Sequence, residues 1–245
     1  MLILAHRGAS ADAPENTLPA FREAAAQGAD GVELDVMRCG SGEVVVCHDE
    51  RTGRLAGEDL EVRATPLWKL QRLDVGGHLG FGAFATIPTL EEVVAALPPE
   101  LLINVELKCE ETDDGGLSEA VGEYVERAGL SDRVILSSFN PLCLMRVAVA
   151  HPSLRRGFLI DPDKPFWLQN ALGTPLCANF SVHPHHRQCT ALRMRLWKDA
   201  GLKVAAWTVD DPAEAARLRA LGVEHCITNR PRALREALDG SDRSR

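Results

Sequence analysis

From Leu2 to Leu238, apolar runs of strand length alternate with amphipathic stretches of helix length, and this alternation restricts the possible folds more than any other feature. Strand-like runs begin near residues 2, 31, 101, 134, 157, 177, 203 and 225. Helix-like stretches lie between most of them, at Thr17–Gln27, Thr89–Ala96, Leu117–Ala128, Pro141–Ala150, Thr190–Ala200, Pro212–Leu221 and Pro231–Leu238. Their ends are punctuated: a threonine precedes the first, second and fifth, and Gly28, Gly201 and Gly222 close three of them. Repeated βα units call for a parallel sheet, either open and doubly wound or closed.

Counting strands decides between the two. A ninth run, Val44–Cys47, lies only about seven residues beyond Gly31–Val36, too few for a helical crossover. A hairpin through Cys39-Gly40-Ser41-Gly42 is expected instead, which sets Cys47–His48 opposite Asp35. The eight other strands close a barrel. The expected fold is therefore an α/β TIM (β/α)8 barrel with a hairpin after strand 2. Residues 1–238 form one domain and 239–245 a frayed tail. The segment 50–87 breaks the alternation but keeps Trp68, Leu70, Leu73, Phe81 and Phe84, and reads as a small packed insertion over the barrel mouth.

Composition narrows the chemistry. Twenty-seven basic against 35 acidic residues give a net charge of −8 with no basic block, which disfavours nucleic acid or an anionic membrane as partner. An anionic substrate must then be attracted by positive charge placed inside the site. Seven scattered cysteines without a C-x-x-C pair argue against zinc or a disulfide framework and suit a reducing compartment. No apolar run approaches the ~18 residues of a membrane span. With only five residues ahead of His6 there is no room for a signal peptide, so a cytoplasmic location is expected.

Four polar clusters sit in or just after apolar runs: His6-Arg7-Gly8, Glu33-Leu34-Asp35, His48-Asp49 and Glu106-Leu107-Lys108. Barrel chemistry gathers at the carboxyl ends of the strands, where His6, Asp35, Lys108, Phe139 and Trp207 fall. Glu33 and Asp35 share one strand face by the period of two. Alone they read equally well as rim residues paired with arginines. With Glu106 on a second buried run they form an all-oxygen set suited to Mg²⁺ or Ca²⁺ rather than zinc. A single histidine ending a strand is usually structural, whereas two beside a carboxylate cluster suit an acid and a base. Arg7 and Lys108 can clamp a phosphate, a role compatible with salt bridges to Glu33 or Glu106. Phe139 and Trp207 read as an apolar substrate wall or as core. Glu15, in Pro14-Glu15-Asn16-Thr17, reads as a residue orienting a histidine or as surface loop. His183-Pro184-His185-His186 reads as the loop after a strand, with His183 a weaker site candidate. No G-x-S-x-G, P-loop or G-x-G-x-x-G motif is present.

Taken in order, His6-Arg7-Gly8, Pro14-Glu15-Asn16-Thr17, Glu33-Leu34-Asp35-Val36, Val46-Cys47-His48-Asp49, Pro88-Thr89-Leu90-Glu91-Glu92, Asn104-Val105-Glu106-Leu107-Lys108, Ser137-Ser138-Phe139 and Trp207-Thr208-Val209 resemble the glycerophosphodiester phosphodiesterase family. The resemblance runs from about residue 3 to 238 and implies a TIM barrel with a small insertion. It implies Glu33, Asp35 and Glu106 as metal ligands, His6 and His48 as the acid–base pair, and Arg7 and Lys108 as the phosphate clamp. The implied reaction is Mg²⁺- or Ca²⁺-dependent hydrolysis of a small-molecule glycerophosphodiester to an alcohol and sn-glycerol 3-phosphate, within lipid and glycerol metabolism. A lysophospholipase D-like enzyme and a barrel that binds phosphodiesters without cleaving them are the alternatives. The chain departs from the family pattern at Asp210, where asparagine is usual, and at Asn229, where aspartate is usual. Both departures are expected to bear on the headgroup pocket or the rim packing.

Overall fold

The computed structural model describes residues 1–109, 111–164 and 174–243. Eight parallel strands close on themselves: β1 (Leu2–His6), β2 (Gly31–Arg38), β4 (Leu102–Leu107), β5 (Val134–Ser138), β6 (Arg155–Ile160), β7 (Ser181–Pro184), β8 (Lys203–Ala206) and β9 (His225–Thr228). The last pairs back onto β1, with Leu4 beside Ile227. The remaining strand, β3 (Val44–Val46), returns antiparallel along β2 with Val46 opposite Val36, and Cys47 N donates to Asp35 O at 2.9 Å. The hairpin therefore carries His48 to the rim beside Asp35. This is a (β/α)8 barrel.

Period-two alternation builds both faces of the wall. Outward residues such as Val32, Leu34, Val36, Ile103, Val105 and Leu107 pack under the helices in one continuous core. In the second half Phe158, Ile160, Val182, Val204 and Cys226 do the same. The helices are α1 (Leu18–Ala26), α5 (Leu90–Ala96), α6 (Leu117–Arg127), α7 (Pro141–Ala150), the short α8 (Thr174–Cys177), α9 (Ala191–Asp199), α10 (Pro212–Leu221) and α11 (Pro231–Arg243). Thr89 and Glu92 complete a reciprocal capping box at the start of α5. Thr17 precedes α1 without capping it, because its hydroxyl donates to Pro14 O at 2.6 Å.

Segment 50–87 folds into α2 (Gly53–Ala56), a 3₁₀ turn (Val62–Ala64), α3 (Leu67–Leu70) and α4 (Val75–His78). It has a core of its own, in which Leu55, Val62, Leu70, Leu73, Val75 and Ile87 pack on Met37, Val45 and Cys47 of the hairpin. Arg54 of α2 then pins it to the barrel mouth through Glu15 and Asp49.

Two sequence expectations need correction. The strand expected at 177–182 lies at Ser181–Pro184, and residues 174–177 are helical. His183 is thus part of a strand and not of the loop after it. The reason is its facing: Ser181 and His183 point into the barrel, so this strand lacks the apolar run that marks the others. A Cβ on Gly157 would collide with both side chains, which explains the glycine opposite them. The final helix also continues past Leu238 to Arg243. Among the described residues no helix is long and apolar enough to cross a membrane.

Candidate active site

The site lies at the carboxyl ends of the strands, in a cavity of about 250 Å³ lined by His6, Arg7, Glu33, His48, Asn104, Glu106, Lys108, Phe139, Leu159, Trp207, Thr208 and Ile227. One ladder supplies its anionic half. β2 and β4 pair in six registered positions, placing Glu33 beside Asn104 and Asp35 beside Glu106 on the inward face. Ligand atoms from Glu33, Asp35 and Glu106 lie within 4.8 Å of one another, and all three residues are buried.

Three carboxylates this close cannot all be comfortable as anions. Burial, then Asp35 and Glu106, push Glu33 well above the ordinary carboxylate range. Burial raises Glu106 to about 7 against the pull of Lys108. Burial acts on Asp35 in the same direction, but Arg7, Lys108 and His48 outweigh it and hold Asp35 low. An all-oxygen cluster in which burial and mutual repulsion raise two of the three carboxyls fits a hard divalent cation, and among the described residues it is the one group of three or more potential ligands found.

Positive charge borders the cluster. Lys108 Nζ lies 2.9 Å from Glu106 Oε1 and 3.8 Å from Asp35 Oδ1. Arg7 Nη1 donates to Glu15 Oε1 at 2.9 Å. Its Nε sits 3.1 Å from Asp35 Oδ2, an ion pair in which the N–H is not aimed well enough to make a hydrogen bond. Arg7 adopts a left-handed backbone (φ 57°), which costs a non-glycine residue about 1–3 kcal/mol and is typical of functional turns. The turn is enforced by Gly8, where any Cβ would strike the Ala20 backbone at 2.6 Å. Asn16 Nδ2, on a second left-handed residue, donates to Asp35 Oδ2 at 2.9 Å.

The two histidines are held differently. His48 Nδ1 lies 2.7 Å from Asp49 Oδ1, and Asp49 Oδ2 accepts from Arg54 Nε at 2.6 Å. His6 Nδ1 lies 2.8 Å from Asn229 Oδ1, while its Nε2 is 3.9 Å from Glu33 Oε2. Burial, the largest influence on each, lowers the pKa of both rings. Phe139 and Trp207 meet edge to face, centroids 5.5 Å apart, and form the apolar wall. Trp207 is fixed by its Nε1–H on His183 O at 2.7 Å. At the cavity floor Asn104 is fully buried, and neither of its amide atoms has a partner among the described residues.

The structure thus brings His6, His48, Arg7, Lys108, Glu33, Asp35, Glu106, Phe139 and Trp207 together. Glu15 is nearby but bonds Arg7 and Arg54 and not a histidine. His183 does not line the cavity; its Nε2 is 2.8 Å from Ser181 Oγ inside the barrel. Asn16, Arg54, Asn104 and Leu159 belong to the site without having been singled out. Asn104 could have been found, since it stands two residues before Glu106 on the same strand face; the others are positioned by contacts remote in the chain. Asn229 and Asp210, expected at the headgroup pocket or the rim, are in fact stacked behind His6.

A closed parallel barrel that carries two histidines, a three-carboxylate cluster and a lysine–arginine pair at its strand ends has the groups needed to bind and cleave a phosphodiester. The profile of the Glycerophosphoryl diester phosphodiesterase family matches residues 6–233. A glycerophosphodiester phosphodiesterase of Caldanaerobacter subterraneus subsp. tengcongensis is 33% identical over 237 residues, covering 95% of this chain and 96% of its own. An Oleispira antarctica phosphodiesterase solved with the product sn-glycerol-3-phosphate superimposes with a TM-score of 0.87 at 31% identity, covering 98% of this chain and 97% of its own. The glycerophosphodiester phosphodiesterase of Thermotoga maritima gives a TM-score of 0.76 at 27% identity, over 96% and 97%. The chain belongs to the glycerophosphoryl diester phosphodiesterase family.

Proposed function

We propose that this protein hydrolyses glycerophosphodiesters to an alcohol and sn-glycerol 3-phosphate, with His6 and His48 as base and acid. The observation that carries this reading is the convergence of two differently buttressed histidines on one cavity with the Glu33–Asp35–Glu106 cluster. The product bound by the Oleispira relative supports the substrate class.

Glu33, Asp35 and Glu106 would hold the divalent cation, Mg²⁺ or Ca²⁺. When bound, it supplies charge neutralisation at the phosphodiester oxygens. Arg7 and Lys108 bind the remaining phosphate charge and orient the ester along the cavity. With Nδ1–H donated to the Asn229 amide oxygen, His6 keeps its Nε2 lone pair toward the cavity, and burial followed by Arg7 favours the uncharged ring; this suits a base. His48 Nδ1 faces the Asp49 carboxylate, which stabilises the ring when it carries a proton and so opposes the lowering by burial; this suits an acid. His6 Nε2 therefore takes the proton from the attacking oxygen, in this reading the substrate's own glycerol hydroxyl. The bond from phosphorus to the leaving oxygen breaks, and His48 Nε2 gives that oxygen its proton. Water then opens the cyclic phosphate with the two roles exchanged, so one water is consumed per diester cleaved.

Beside the cavity, and sharing His48, Glu106, Lys108 and Phe139 with it, is a groove of about 500 Å³. Glu111, Thr112, Asn140, Asp161 and Lys164 line it together with Leu142 and Pro141. So charged a groove suits a polar headgroup better than an acyl chain, which favours glycerophosphodiesters over lysophospholipids. The absence of any span-length helix among the described residues and the seven free, buried cysteines fit action on a water-soluble substrate in the cytoplasm. The test is release of glycerol 3-phosphate from glycerophosphocholine, -ethanolamine, -glycerol and -inositol, coupled to its dehydrogenase. Turnover abolished by chelator and restored by Mg²⁺ or Ca²⁺ is expected. No turnover on any of the four with metal present would reject the reading.

A further inference from the structure

Asp210 and Asn229, remote from the carboxylate cluster in the chain, are in contact with each other behind His6. Asp210 Oδ2 accepts from Asn229 Nδ2 at 2.7 Å, and Asp210 Oδ1 accepts from the Asn229 backbone N–H at 2.8 Å and from Thr228 Oγ1 at 2.9 Å. Thr228 Oγ1 accepts from Arg230 N at 3.0 Å, which leaves its proton for Asp210. Asn229 Oδ1 in turn faces His6 Nδ1 at 2.8 Å, with Ser10 Oγ also 2.8 Å away.

We infer that Asp210 and Asn229 form a single positioning unit that sets the tautomer of His6, and that the carboxylate and the amide can trade places within it without loss of any hydrogen bond. The inference rests on His6 acting as proposed above. The chain of cause is short. An amide presents an acceptor on one side and donors on the other, and its two orientations are nearly isosteric. Ser10 does not choose between them, because its hydroxyl can instead donate to His6 O at 2.8 Å and so accept from a rotated amide. A carboxylate only accepts. Asp210 therefore captures Nδ2 and turns Oδ1 toward the histidine. An acceptor there admits only a ring that carries its proton on Nδ1, so Nε2 is left unprotonated on the cavity side.

The swapped arrangement satisfies the same groups. An amide at 210 would use its oxygen for the Thr228 hydroxyl and the 229 backbone N–H, and its nitrogen for a carboxylate at 229. That carboxylate would again accept from His6 Nδ1–H. Either single exchange breaks the logic. Asp210→Asn keeps its oxygen on Thr228 and the 229 backbone N–H and turns a donor toward Asn229, so that amide reverses and points Nδ2 at His6, while Asn229→Asp puts two carboxylates at hydrogen-bond distance.

The experiment is a reciprocal cycle with a spectroscopic arm. Asp210→Asn and Asn229→Asp should each lower kcat by about tenfold or more, with KM for a glycerophosphodiester little changed. The double exchange Asp210→Asn/Asn229→Asp should return to within about threefold of the unmodified protein. Losses that simply multiply in the double variant, or an Asp210→Asn protein with undiminished kcat, would overturn the inference. Long-range ¹H–¹⁵N spectra of the unmodified protein should show His6 as the Nδ1–H tautomer, and the Nε2–H tautomer there would also overturn it. The spectrum needs neither turnover nor a stable variant. It therefore decides this inference even for a protein that fails the activity assay above.

Discussion

His6 and His48 carry the same ring in opposite settings, and that difference makes them separable by mutation. His6→Ala and His48→Ala should each cost about 10²–10⁴ in kcat, the usual worth of a positioned acid or base. Neither should alter the circular dichroism spectrum, because both side chains face the cavity and neither belongs to the packed cores. Near-normal turnover in either variant would remove that residue from the mechanism. His183, by contrast, is a titratable group in the barrel interior. Burial lowers its pKa to about 3 from an ordinary 6.5, so it is neutral in the folded state at any ordinary pH. The unfolded chain binds the proton first as pH falls below 6.5, and folding must lose stability over the window from 6.5 down to about 3. His183→Gln keeps an acceptor near Ser181 without the titration. Between pH 7 and pH 5 the unmodified protein should lose about 2 kcal/mol more than this variant in urea unfolding. Equal losses would show that His183 is not buried as a neutral ring.

At the scale of elements, the hairpin and the insertion act together. The β2–β3 hairpin delivers His48, and α2 of the insertion returns Arg54 across the mouth to Asp49 and Glu15. Arg54 is about half exposed (47%), so its ion pairs contribute little to stability, within about 1 kcal/mol. Its loss should be felt in catalysis instead. Arg54→Ala is expected to lower kcat/KM about tenfold while moving Tm by no more than a few degrees, read by steady-state kinetics and thermal denaturation. A large fall in Tm with unchanged kinetics would make Arg54 a fold residue. The insertion was legible as a packed unit from Leu70 and Leu73, but Trp68, Phe81 and Phe84, expected to pack with them, are exposed; the link through Arg54 was not legible, because nothing local marks one arginine among its neighbours. β7 was misplaced for a related reason. Periodicity finds strands by their apolar face, and where Ser181 and His183 point into a polar interior the outward Val182 alone remains to announce one.

For the whole molecule, the barrel was readable because its outward faces are apolar and its helices alternate with them at regular spacing, so counting elements sufficed. The candidate site was readable wherever side chains two apart share a face, as at Glu33-x-Asp35 and Glu106-x-Lys108. Residues that buttress it were hidden: Asn16, Asn229 and Arg54 reach the site only by folding, the second from 223 positions away along the chain. Cation binding should also register globally. Three buried, mutually repelling carboxylates give the folded chain a site that the unfolded chain lacks, so saturating metal at about 100 Kd is worth about 2.7 kcal/mol. Mg²⁺ or Ca²⁺ should raise Tm in the unmodified protein and do so far less in Glu33→Gln or Glu106→Gln. An equal rise in those variants would place the ion elsewhere.

The seam between β1 and β9 gives the site an order of assembly. The carboxylates stand on one ladder of two neighbouring strands, complete in the chain by Leu107. His6 emerges earlier still, yet its partner Asn229 lies just past β9, the last strand, and the two meet only when the barrel shuts. A chain truncated before β9 therefore carries both histidines and all three carboxylates in its sequence and still lacks the acceptor that faces His6 Nδ1.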